Sequence, residues 1–296
     1  MAEVLVLGGS GLIGAACYRK LLAEGHSMRG LARSQEAAHL TDPDGTWILA
    51  DLAQMTAADW AEAVAGIDVV VNAAGALQDG GGDDLNAVHV EAIRGLLTAV
   101  RGRETLIVQI SAVGAAETAA TAFLRTKGQG DKLLRTNWER HIILRPGLVI
   151  GRAAYGGTAL LCAAAALPWV TPQIFGESRI QTVALDDLAD AVAQAVRGDI
   201  PPGTEADLVE AHGQSLPDLI AELRAWLGLP PARWRVAVPD WALGAVGRAA
   251  DALGRLGWRS PLRTTALRVL SEGVIGDPSP WRAAGGQACR SLSQSL

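Results

Sequence analysis

The feature that most constrains this fold is a regular alternation of apolar runs and amphipathic stretches through the first half of the chain. Apolar runs at residues 3–8, 27–33, 46–52, 68–75, 105–114 and 141–151 are separated by helical patterns. Strands that are continuously apolar are typically buried on both faces, and the helices that connect them cover those faces. The sequence therefore predicts an α/β fold, a doubly wound parallel sheet.

The second half of the chain has a different character and predicts a smaller lobe. We expect a nucleotide-binding core at residues 1–150 and a small, mostly helical C-terminal lobe at residues 151–296 for substrate or interaction, with residues 177–200 returning to the core. After Pro230 the chain becomes rich in Trp, Arg and Pro. The last stretch, residues 285–296, has no packing pattern and is predicted to be either a frayed tail or a truncation point.

The most apolar segment, ALLCAAAALPWV at residues 159–170, is interrupted by a proline. It is shorter than the roughly 18 apolar residues that indicate a membrane span. We expect it to form a buried helix rather than an interfacial one.

Charge and chelating residues narrow the classes of function. The chain carries 26 basic and 31 acidic residues, a net charge of −5 without any basic run. Proteins that bind nucleic acid present a cationic face, so no nucleic-acid partner is expected. Three cysteines lie far apart and five histidines are scattered. This pattern favours a reducing, cytoplasmic compartment and no metal site.

A glycine-rich turn, GGSGLIG, directly follows the first strand and directly opens a helix. Gly8 is expected to make the tight turn, Gly11 to let the backbone approach a pyrophosphate, and Gly14 to let the helix pack closely. The helix N-terminus then offers unpaired N–H groups and a partial positive charge to the phosphates. This context predicts a Rossmann-like dinucleotide site.

The end of the second strand indicates which dinucleotide is bound. An NAD site usually places a carboxylate there, but this strand ends in Leu31-Ala32-Arg33-Ser34. Arg33 can hold a 2′-phosphate, so NADP(H) is favoured over NAD(H), unless Arg33 is simply a solvated loop cation. Asp51, after the third strand, is expected to accept a hydrogen bond from the adenine amino group or, alternatively, to cap a helix.

These motifs together resemble the short-chain dehydrogenase/reductase superfamily, and most of all its atypical NAD(P)H-binding branch. That branch includes the nucleotide-binding accessory subunit of mitochondrial complex I and bacterial relatives, some with a DoxX-like membrane segment after the domain. The match runs from Gly8 to about Asp187, on the pieces GGSGLIG, ADL, NAAG, QISAVGA, FLRTKGQGDKLLR, ILRPGLVIG and QTVALDDLADAV. The resemblance implies that the cofactor is bound by Gly8, Ser10, Gly11, Leu12, Ile13, Arg33, Asp51, Leu52, Ala73, Ala74, Lys127, Pro146, Gly147, Leu148 and Val149.

The catalytic residues of this superfamily are a Ser or Thr after the fifth strand and a Tyr-x-x-x-Lys pair. Ser111 and Lys127 stand at the first and last of these positions, but Phe123 stands where the tyrosine belongs. Lys127 is one of only three lysines among 26 basic residues, which makes it more informative than usual. A positioned general acid typically contributes about 10²–10⁴-fold in rate, so ketone reduction by the tyrosine route is not expected.

Two functions stay open on this evidence. The first is an NADP(H)-dependent oxidoreductase. Either its small-molecule substrate needs little acid catalysis, as a quinone, an imine or an activated double bond would, or the phenol of Tyr155 acts as the acid. The second is a non-catalytic NADP(H)-binding protein with a structural or regulatory role toward a protein partner. Membrane association is expected only through a segment beyond residue 296.

Overall fold

The computed structural model describes residues 1–77, 79, 84–151, 157–239, 241–245, 247–248 and 264–296. The strands of this part of the chain are β1 (Glu3–Leu7), β2 (Ser27–Ala32), β3 (Thr46–Leu49), β4 (Val69–Asn72), β5 (Leu106–Ile110), β6 (His141–Pro146), β7 (Leu148–Ile150), β8 (Val170–Gln173), β9 (Arg179–Ile180), β10 (Thr182–Ala184), β11 (Thr204–Leu208), β12 (Gln214–Ser215) and β13 (Trp234–Ala237). The helices are α1 (Leu12–Ala23), α2 (Gln35–Thr41), α3 (Ala57–Ala63), α4 (Ala92–Ala99), α5 (Ala122–Asn137), α6 (Gly157–Ala165), α7 (Leu185–Arg197), α8 (Leu216–Trp226), α9 (Thr264–Glu272), α10 (Ser279–Ala283) and α11 (Leu292–Ser295).

The central sheet of the described residues has seven parallel strands in the order β3-β2-β1-β4-β5-β6-β11. The strand order reverses between β1 and β4, which opens a crevice at the carboxyl ends of the strands. The predicted fold class, a Rossmann-like α/β sheet with a helical C-terminal lobe, is confirmed. The predicted core strands are present, and β11, which the sequence analysis placed in the lobe, adds a further edge strand beside β6.

Alternate residues of β1 show how the sheet is covered on both faces. Val4 and Val6 belong to a core cluster with residues of α1 and α7, whereas Leu5 and Leu7 belong to a second cluster with residues of α3, α4 and α5. All four side chains are at most 1% exposed. Two buried faces explain why the strands read as continuous apolar runs, because successive side chains point to opposite sides of the sheet.

The lobe is built around α6 and α8, which share a third core cluster. Leu161 and Ala165 of α6 are buried in this cluster with Leu219 and Leu223 of α8. The predicted burial of the apolar segment therefore holds for these α6 positions, whereas Leu167 and Trp169 after the helix are exposed. Short strand pairs, β7 with β10, β9 with β12 and β8 with β13, complete the described part of the lobe.

The C-terminal stretch is packed, so the prediction of a frayed tail was wrong. Leu292, within this stretch, is only 1% exposed. The backbone N–H of Leu292 donates to the Glu210 carboxylate at 3.1 Å, and Arg290 forms an ion pair with Asp187 at 2.6 Å. Both contacts join residues more than 80 positions apart, which is why the local sequence pattern did not reveal them.

Several tryptophan rings lie directly on glycines. A Cβ added at the glycine would come within 2.1 to 2.5 Å of the indole in the pairs Gly30–Trp47, Gly95–Trp60 and Gly286–Trp281. The Trp47 ring also stacks on Tyr18, with ring centroids 5.0 Å apart. These rings fill space that any side chain at the glycine would occupy.

Among the described residues, no helix is both long and apolar enough to cross a membrane.

Candidate functional site

The glycine turn adopts the geometry that its sequence predicts. Gly8 has a φ of +69°, and a Cβ there would lie 2.9 Å from the Cα of Ala74. The Gly11 N–H donates to the Gly8 carbonyl oxygen at 3.0 Å, and Gly11 is the N-cap of α1. A Cβ at Gly14 would lie 2.1 Å from the same oxygen. The backbone therefore requires glycine at 8 and 14, which brings the start of α1 close against the end of β1.

The first turn of α1 provides donors for an anion. Leu12 and Ile13 open the helix, and no side chain caps it. The N–H groups of a first helical turn have no partner within the helix, and the helix dipole adds a partial positive charge. This end of α1 is therefore suited to hold a phosphate group.

A cavity of about 580 Å³ lies beside this turn, at the carboxyl ends of β1, β2, β3 and β4. Of the predicted cofactor residues, it is lined by Gly8, Ser10, Gly11, Arg33, Asp51, Leu52, Ala73 and Ala74. Leu12, Ile13, Lys127 and Pro146–Val149 do not line it. A second cavity of about 630 Å³ lies at the amino ends of the central strands, near Asp68 and Leu106, and contains none of the predicted residues.

Two predicted side chains lie at the end of the cavity formed by β2 and β3. Arg33 follows β2 and is exposed. The next residue, Ser34, caps α2 by accepting from the Ala37 N–H at 3.3 Å. Asp51 accepts the Ala53 N–H at 3.1 Å through Oδ1. Asp51 therefore does cap a short 3₁₀ turn, the alternative role that its sequence position allowed, while also lining the cavity.

Lys127 is buried against the cavity wall. Its side chain is 6% exposed, and Nζ donates to the Ile110 carbonyl oxygen at 2.8 Å. Burial lowers its pKa from 10.5 to about 8, although the charge of Asp131 raises it in part. A Cβ at Gly75, which lines the cavity, would lie 3.4 Å from Nζ. The ammonium group therefore lies just behind the cavity wall, and Gly75 separates it from the cavity.

His89 is held in its neutral form beside Phe123. Its Nε2 accepts the Ala76 N–H at 3.2 Å, so Nδ1 carries the proton and donates to Thr126 Oγ1 at 2.8 Å. Burial, together with the charge of Lys127, lowers its pKa to about 3. The Phe123 ring meets the imidazole edge-on, with centroids 5.9 Å apart. His89 thus fixes the loop after β4 against α5.

Ser111 takes part in a buried network that the sequence analysis missed. Its hydroxyl donates to Asp131 Oδ2 at 2.7 Å, and Arg145 Nε donates to the same oxygen at 3.3 Å. Asp131 is 1% exposed, and its Oδ1 has no hydrogen-bond partner. Burial raises the pKa of Asp131, opposed by Ser111, Arg145 and Lys127. The only available sequence signal was an aspartate one helical turn after Lys127.

Arg145 also connects this network to the edge of the sheet. Its guanidinium donates to Glu205 of β11 at 2.5 Å, and Arg135 of α5 pairs with the same carboxylate. Burial would raise the pKa of Glu205, but the hydrogen bonds from Arg135 and Arg145 outweigh it and lower this pKa to about 2. The network therefore joins α5, β6 and β11 behind Lys127.

The turn Pro146–Val149 lies at the carboxyl end of β6, and its backbone is largely paired. The Val113 N–H donates to the Pro146 carbonyl oxygen at 3.1 Å, and the Gly147 N–H donates to Leu208 at 3.0 Å. The Leu148 N–H donates to Gln181 at 3.0 Å. The role of this turn in cofactor binding stays a prediction.

Tyr155, the alternative phenol, lies outside the described residues. Within the described part of the chain, no group of three or more His, Cys, Asp and Glu side chains is arranged to hold a metal ion.

A sequence model of the NAD(P)H-binding family matches residues 8–198. The chain belongs to this family. A curated relative, the ceramide reductase of Caulobacter vibrioides (strain NA1000 / CB15N), is 23% identical over 255 residues, which cover 86% of this chain and 78% of the relative. The narrower resemblance to the complex I accessory subunit is not shown by these matches.

Solved structures share the fold at low sequence identity. UDP-glucose 4-epimerase from Thermotoga maritima, solved with UDP-glucose, has a TM-score of 0.73 at 14% identity and covers 99% of this chain and 96% of its own. The Bordetella bronchiseptica enzyme WbmG, solved with NAD, has a TM-score of 0.72 at 15% identity and covers 99% and 92%. At these identities the likeness shows the fold alone.

Proposed function

We propose that this protein is an NADP(H)-dependent oxidoreductase that works without a tyrosine at the usual catalytic position. The observation that carries the proposal is the buried Lys127 ammonium, which lies directly behind Gly75 at the wall of the dinucleotide cavity. A lysine with a strongly lowered pKa next to a ligand cavity is characteristic of functional sites. The same burial is unfavourable for stability, which argues against a purely structural role.

The residues present fit a nicotinamide dinucleotide. Gly8 and Gly14 leave no room for a Cβ, so the start of α1 packs close against the end of β1. The opening turn of α1, with Leu12 and Ile13, supplies the N–H groups for the phosphates. Ser10, Asp51, Leu52, Ala73 and Ala74 surround the remainder of the cavity.

NADP(H) is the proposed cofactor because the cavity has an arginine, not a carboxylate, at the end of β2. Arg33 lines the cavity at the position where a ribose 2′-phosphate is expected. A guanidinium group binds a phosphate through two parallel hydrogen bonds, whereas an NAD site uses a carboxylate on the ribose hydroxyls.

When bound, the dinucleotide supplies or accepts a hydride. Lys127, with a pKa of about 8, is mostly protonated at neutral pH and holds its protons at Nζ. One of them is donated to Ile110, which leaves two for the nicotinamide ribose and for a substrate atom. Phe123 has no proton to give, so the substrates that fit are those whose reduction needs no strong general acid: a quinone, an imine or an activated double bond.

Ser111 has a more limited role in this proposal. Its hydroxyl proton is committed to Asp131, so only its lone pairs are available toward a substrate.

The Caulobacter relative, which is named a reductase and matches most of both chains, supports reduction as the chemistry. We place the reaction in the cytoplasm, where NADPH is the available reductant.

The test is a titration of the protein with NADPH and NADH, followed by intrinsic tryptophan fluorescence. We expect NADPH to bind at least about tenfold more tightly, a difference of about 1.4 kcal/mol. Arg33→Ser should remove this preference while leaving NADH affinity unchanged. Arg94→Ser, at an exposed arginine of α4, is the matched control. Equal affinities in the unmodified protein would refute the assignment of Arg33, and no binding of either nucleotide would refute the function.

A further inference from the structure

The side chains at the carboxyl end of β5 discriminate among the substrate classes that the proposed function leaves open. Ser111 is the first residue after this strand, and Lys127 Nζ donates to the carbonyl oxygen of its last residue, Ile110, at 2.8 Å. Phe123 lies four residues before Lys127 on α5, which places both on the same face of the helix. The hydrogen-bonding character of these side chains determines which substrate atom they can contact.

Ser111 presents lone pairs rather than a proton. Its hydroxyl donates to Asp131 Oδ2 at 2.7 Å, and Arg145 Nε donates to the same oxygen at 3.3 Å. Asp131 is 1% exposed, and its Oδ1 has no hydrogen-bond partner. If the carboxyl group takes up a proton, Oδ1 is the oxygen free to carry it, so Oδ2 accepts from Ser111 in either state. Toward any further ligand Ser111 is therefore a hydrogen-bond acceptor.

Lys127 is the proton donor at this end of the cavity. Its ammonium group lies behind Gly75, at the cavity wall. The charged groups around it are Asp131, one turn later on α5, and Arg145 on β6, whereas the neighbouring His89 is neutral. Burial lowers the pKa of Lys127 to about 8, so this group can give up a proton near neutral pH.

Phe123 offers an aromatic ring where a proton donor would otherwise stand. Its side chain is half-buried, and the ring packs edge-on against His89, with centroids 5.9 Å apart. The face of an aromatic ring attracts a cation, whereas it gives nothing to an oxygen that gains negative charge. One proton donor, one acceptor and one aromatic ring together favour a substrate atom that takes a proton and becomes positively charged.

We infer that the substrate is an imine, which Lys127 protonates at nitrogen and which Ser111 then holds by accepting the new N–H. An Nζ–H bond breaks and a substrate N–H bond forms, so the positive charge moves from Lys127 to the iminium ion and no second cation arises. The hydride that the dinucleotide supplies forms a C–H bond at the iminium carbon, and the C=N π electrons become the lone pair of a neutral amine. Lys127 regains its proton from water.

The two other substrate classes do not match these side chains. A quinone or an activated double bond next to a carbonyl group builds negative charge on oxygen when it accepts a hydride. Ser111 and Phe123 give no proton to such an oxygen, and the Asp131 carboxylate lies directly behind Ser111. The inference rests on the proposed function, because it needs the nicotinamide dinucleotide as the hydride donor.

The first experiment compares three bicyclic probes of similar size, with saturating NADPH and with the rate measured without protein subtracted. They are trimethylindolenine, a cyclic imine that is neutral at neutral pH, naphthoquinone, and coumarin, which has an activated double bond. We expect the kcat/KM of trimethylindolenine to exceed that of the other two at least about tenfold, because a hydrogen bond to a charged group is at stake.

A permanent cation separates the roles of Lys127 and Ser111 from cofactor binding. Tetramethylindolenium, the N-methylated form of the same imine, needs no proton and has no N–H to donate. Lys127→Met should lower the ratio of imine to N-methyl iminium turnover about 10²-fold, and Ser111→Ala should lower it about tenfold. Lys132→Met, at an exposed lysine of the same helix, should leave the ratio unchanged.

Two variants of Asp131 test whether it holds the Ser111 proton. Asp131→Asn and Asp131→Leu both remove the charge, but asparagine keeps an oxygen that can accept from Ser111 and Arg145. Relative to Asp131→Asn, Asp131→Leu should lower the preference for trimethylindolenine over naphthoquinone about fivefold, because the freed Ser111 proton then serves an oxygen. The urea midpoint of each variant shows whether it is folded.

A measurement without turnover uses the small number of lysines. The chain has only Lys20, Lys127 and Lys132, so carbon-labelled lysine gives three NMR signals, and Lys127→Met assigns one of them. Binding of tetramethylindolenium beside Lys127 should lower the pKa of this lysine, because like charges disfavour the protonated form. The pKa values of Lys20 and Lys132 should not change.

The outcomes separate this inference from the proposed function. Reduction of naphthoquinone or coumarin but not of trimethylindolenine would overturn the inference and leave the proposed function standing. So would unchanged ratios in Lys127→Met and Ser111→Ala, or NADPH binding without reduction of any probe. Failure to bind NADPH would refute the proposed function, and the lysine titration would then decide separately whether a cation binds beside Lys127.

Discussion

Replacing Lys127 with methionine should stabilise the cofactor-free protein at neutral pH. Burial lowers the pKa of Lys127 from 10.5 to about 8, which corresponds to about 3 kcal/mol. Because the unfolded chain binds this proton more tightly, the penalty is complete below pH 8 and disappears as the pH rises toward 10.5. Losing the hydrogen bond to Ile110 lowers the free energy of unfolding by about 1 kcal/mol. We therefore expect a net gain of about 2 kcal/mol at pH 7.

The assay is urea unfolding at about pH 7 and about pH 10, with Lys132→Met as the control. Lys132 is on the same helix but exposed, and it pairs with Glu117 at 2.9 Å. The gain of Lys127→Met should vanish at the higher pH, whereas Lys132→Met should show no gain at either. Titrating groups that do not interact with Lys127 are the same in every variant and cancel in the comparison, whereas Asp131 and His89, whose pKa values the Lys127 charge lowers, change with the substitution. A gain of equal size at both pH values, or no gain at all, would refute the argument.

The same substitution should weaken NADPH binding, because the proposed ribose contact is lost. An unchanged affinity would show that Lys127 does not touch the cofactor. Stability gained at the expense of binding would then identify the buried ammonium as a functional feature of the fold.

Three further substitutions test the site. Gly14→Ala, whose Cβ would lie 2.1 Å from the Gly8 oxygen, should weaken NADPH binding at least about tenfold in a fluorescence titration, whereas Gly176→Ala, which meets nothing within 4 Å, should not. Phe123→Tyr should raise NADPH-dependent ketone reduction about 10²-fold or more, and Phe123→Leu should give no increase. Asp131→Asn should lower the pKa of Lys127, because the charge of Asp131 raises it. The free energy of unfolding in urea, which increases as Lys127 loses its proton, should therefore begin to increase at a lower pH.

Much of the core could be predicted from the sequence because its strands are buried on both faces. In β4, for example, Val69, Val70 and Val71 are consecutive buried residues and form an apolar run in the sequence. The edge strand β11 does not, because Thr204 and Glu205 are polar and Glu205 pairs with arginines of α5 and β6. Its partners are about 60 to 70 residues away, so no local pattern could assign it to the central sheet.

In the site, too, local features could be predicted from the sequence, whereas long-range contacts could not. The positive φ of Gly8 and the contact of Gly14 with the Gly8 oxygen arise within seven residues, so the turn itself could be predicted, whereas the contact of Gly8 with Ala74 could not. The partners of Ser111 and His89 lie 13 to 37 positions away along the chain. Such pairs are set by how α5 packs on the sheet, which a single sequence does not state. The tail was missed for a similar reason, because Arg290 and Leu292 are held by Asp187 and Glu210, which lie more than 80 positions away.

The tryptophans that lie on glycines constrain how this sequence can vary. At Gly30 an added methyl group would lie 2.2 Å from the Trp47 ring, and at Gly286 it would lie 2.1 Å from Trp281. Replacing the glycine alone creates a clash, and replacing the tryptophan alone leaves a void. A substitution that keeps the packing must therefore change both positions together. In related sequences, each glycine and its tryptophan should be either both present or both replaced.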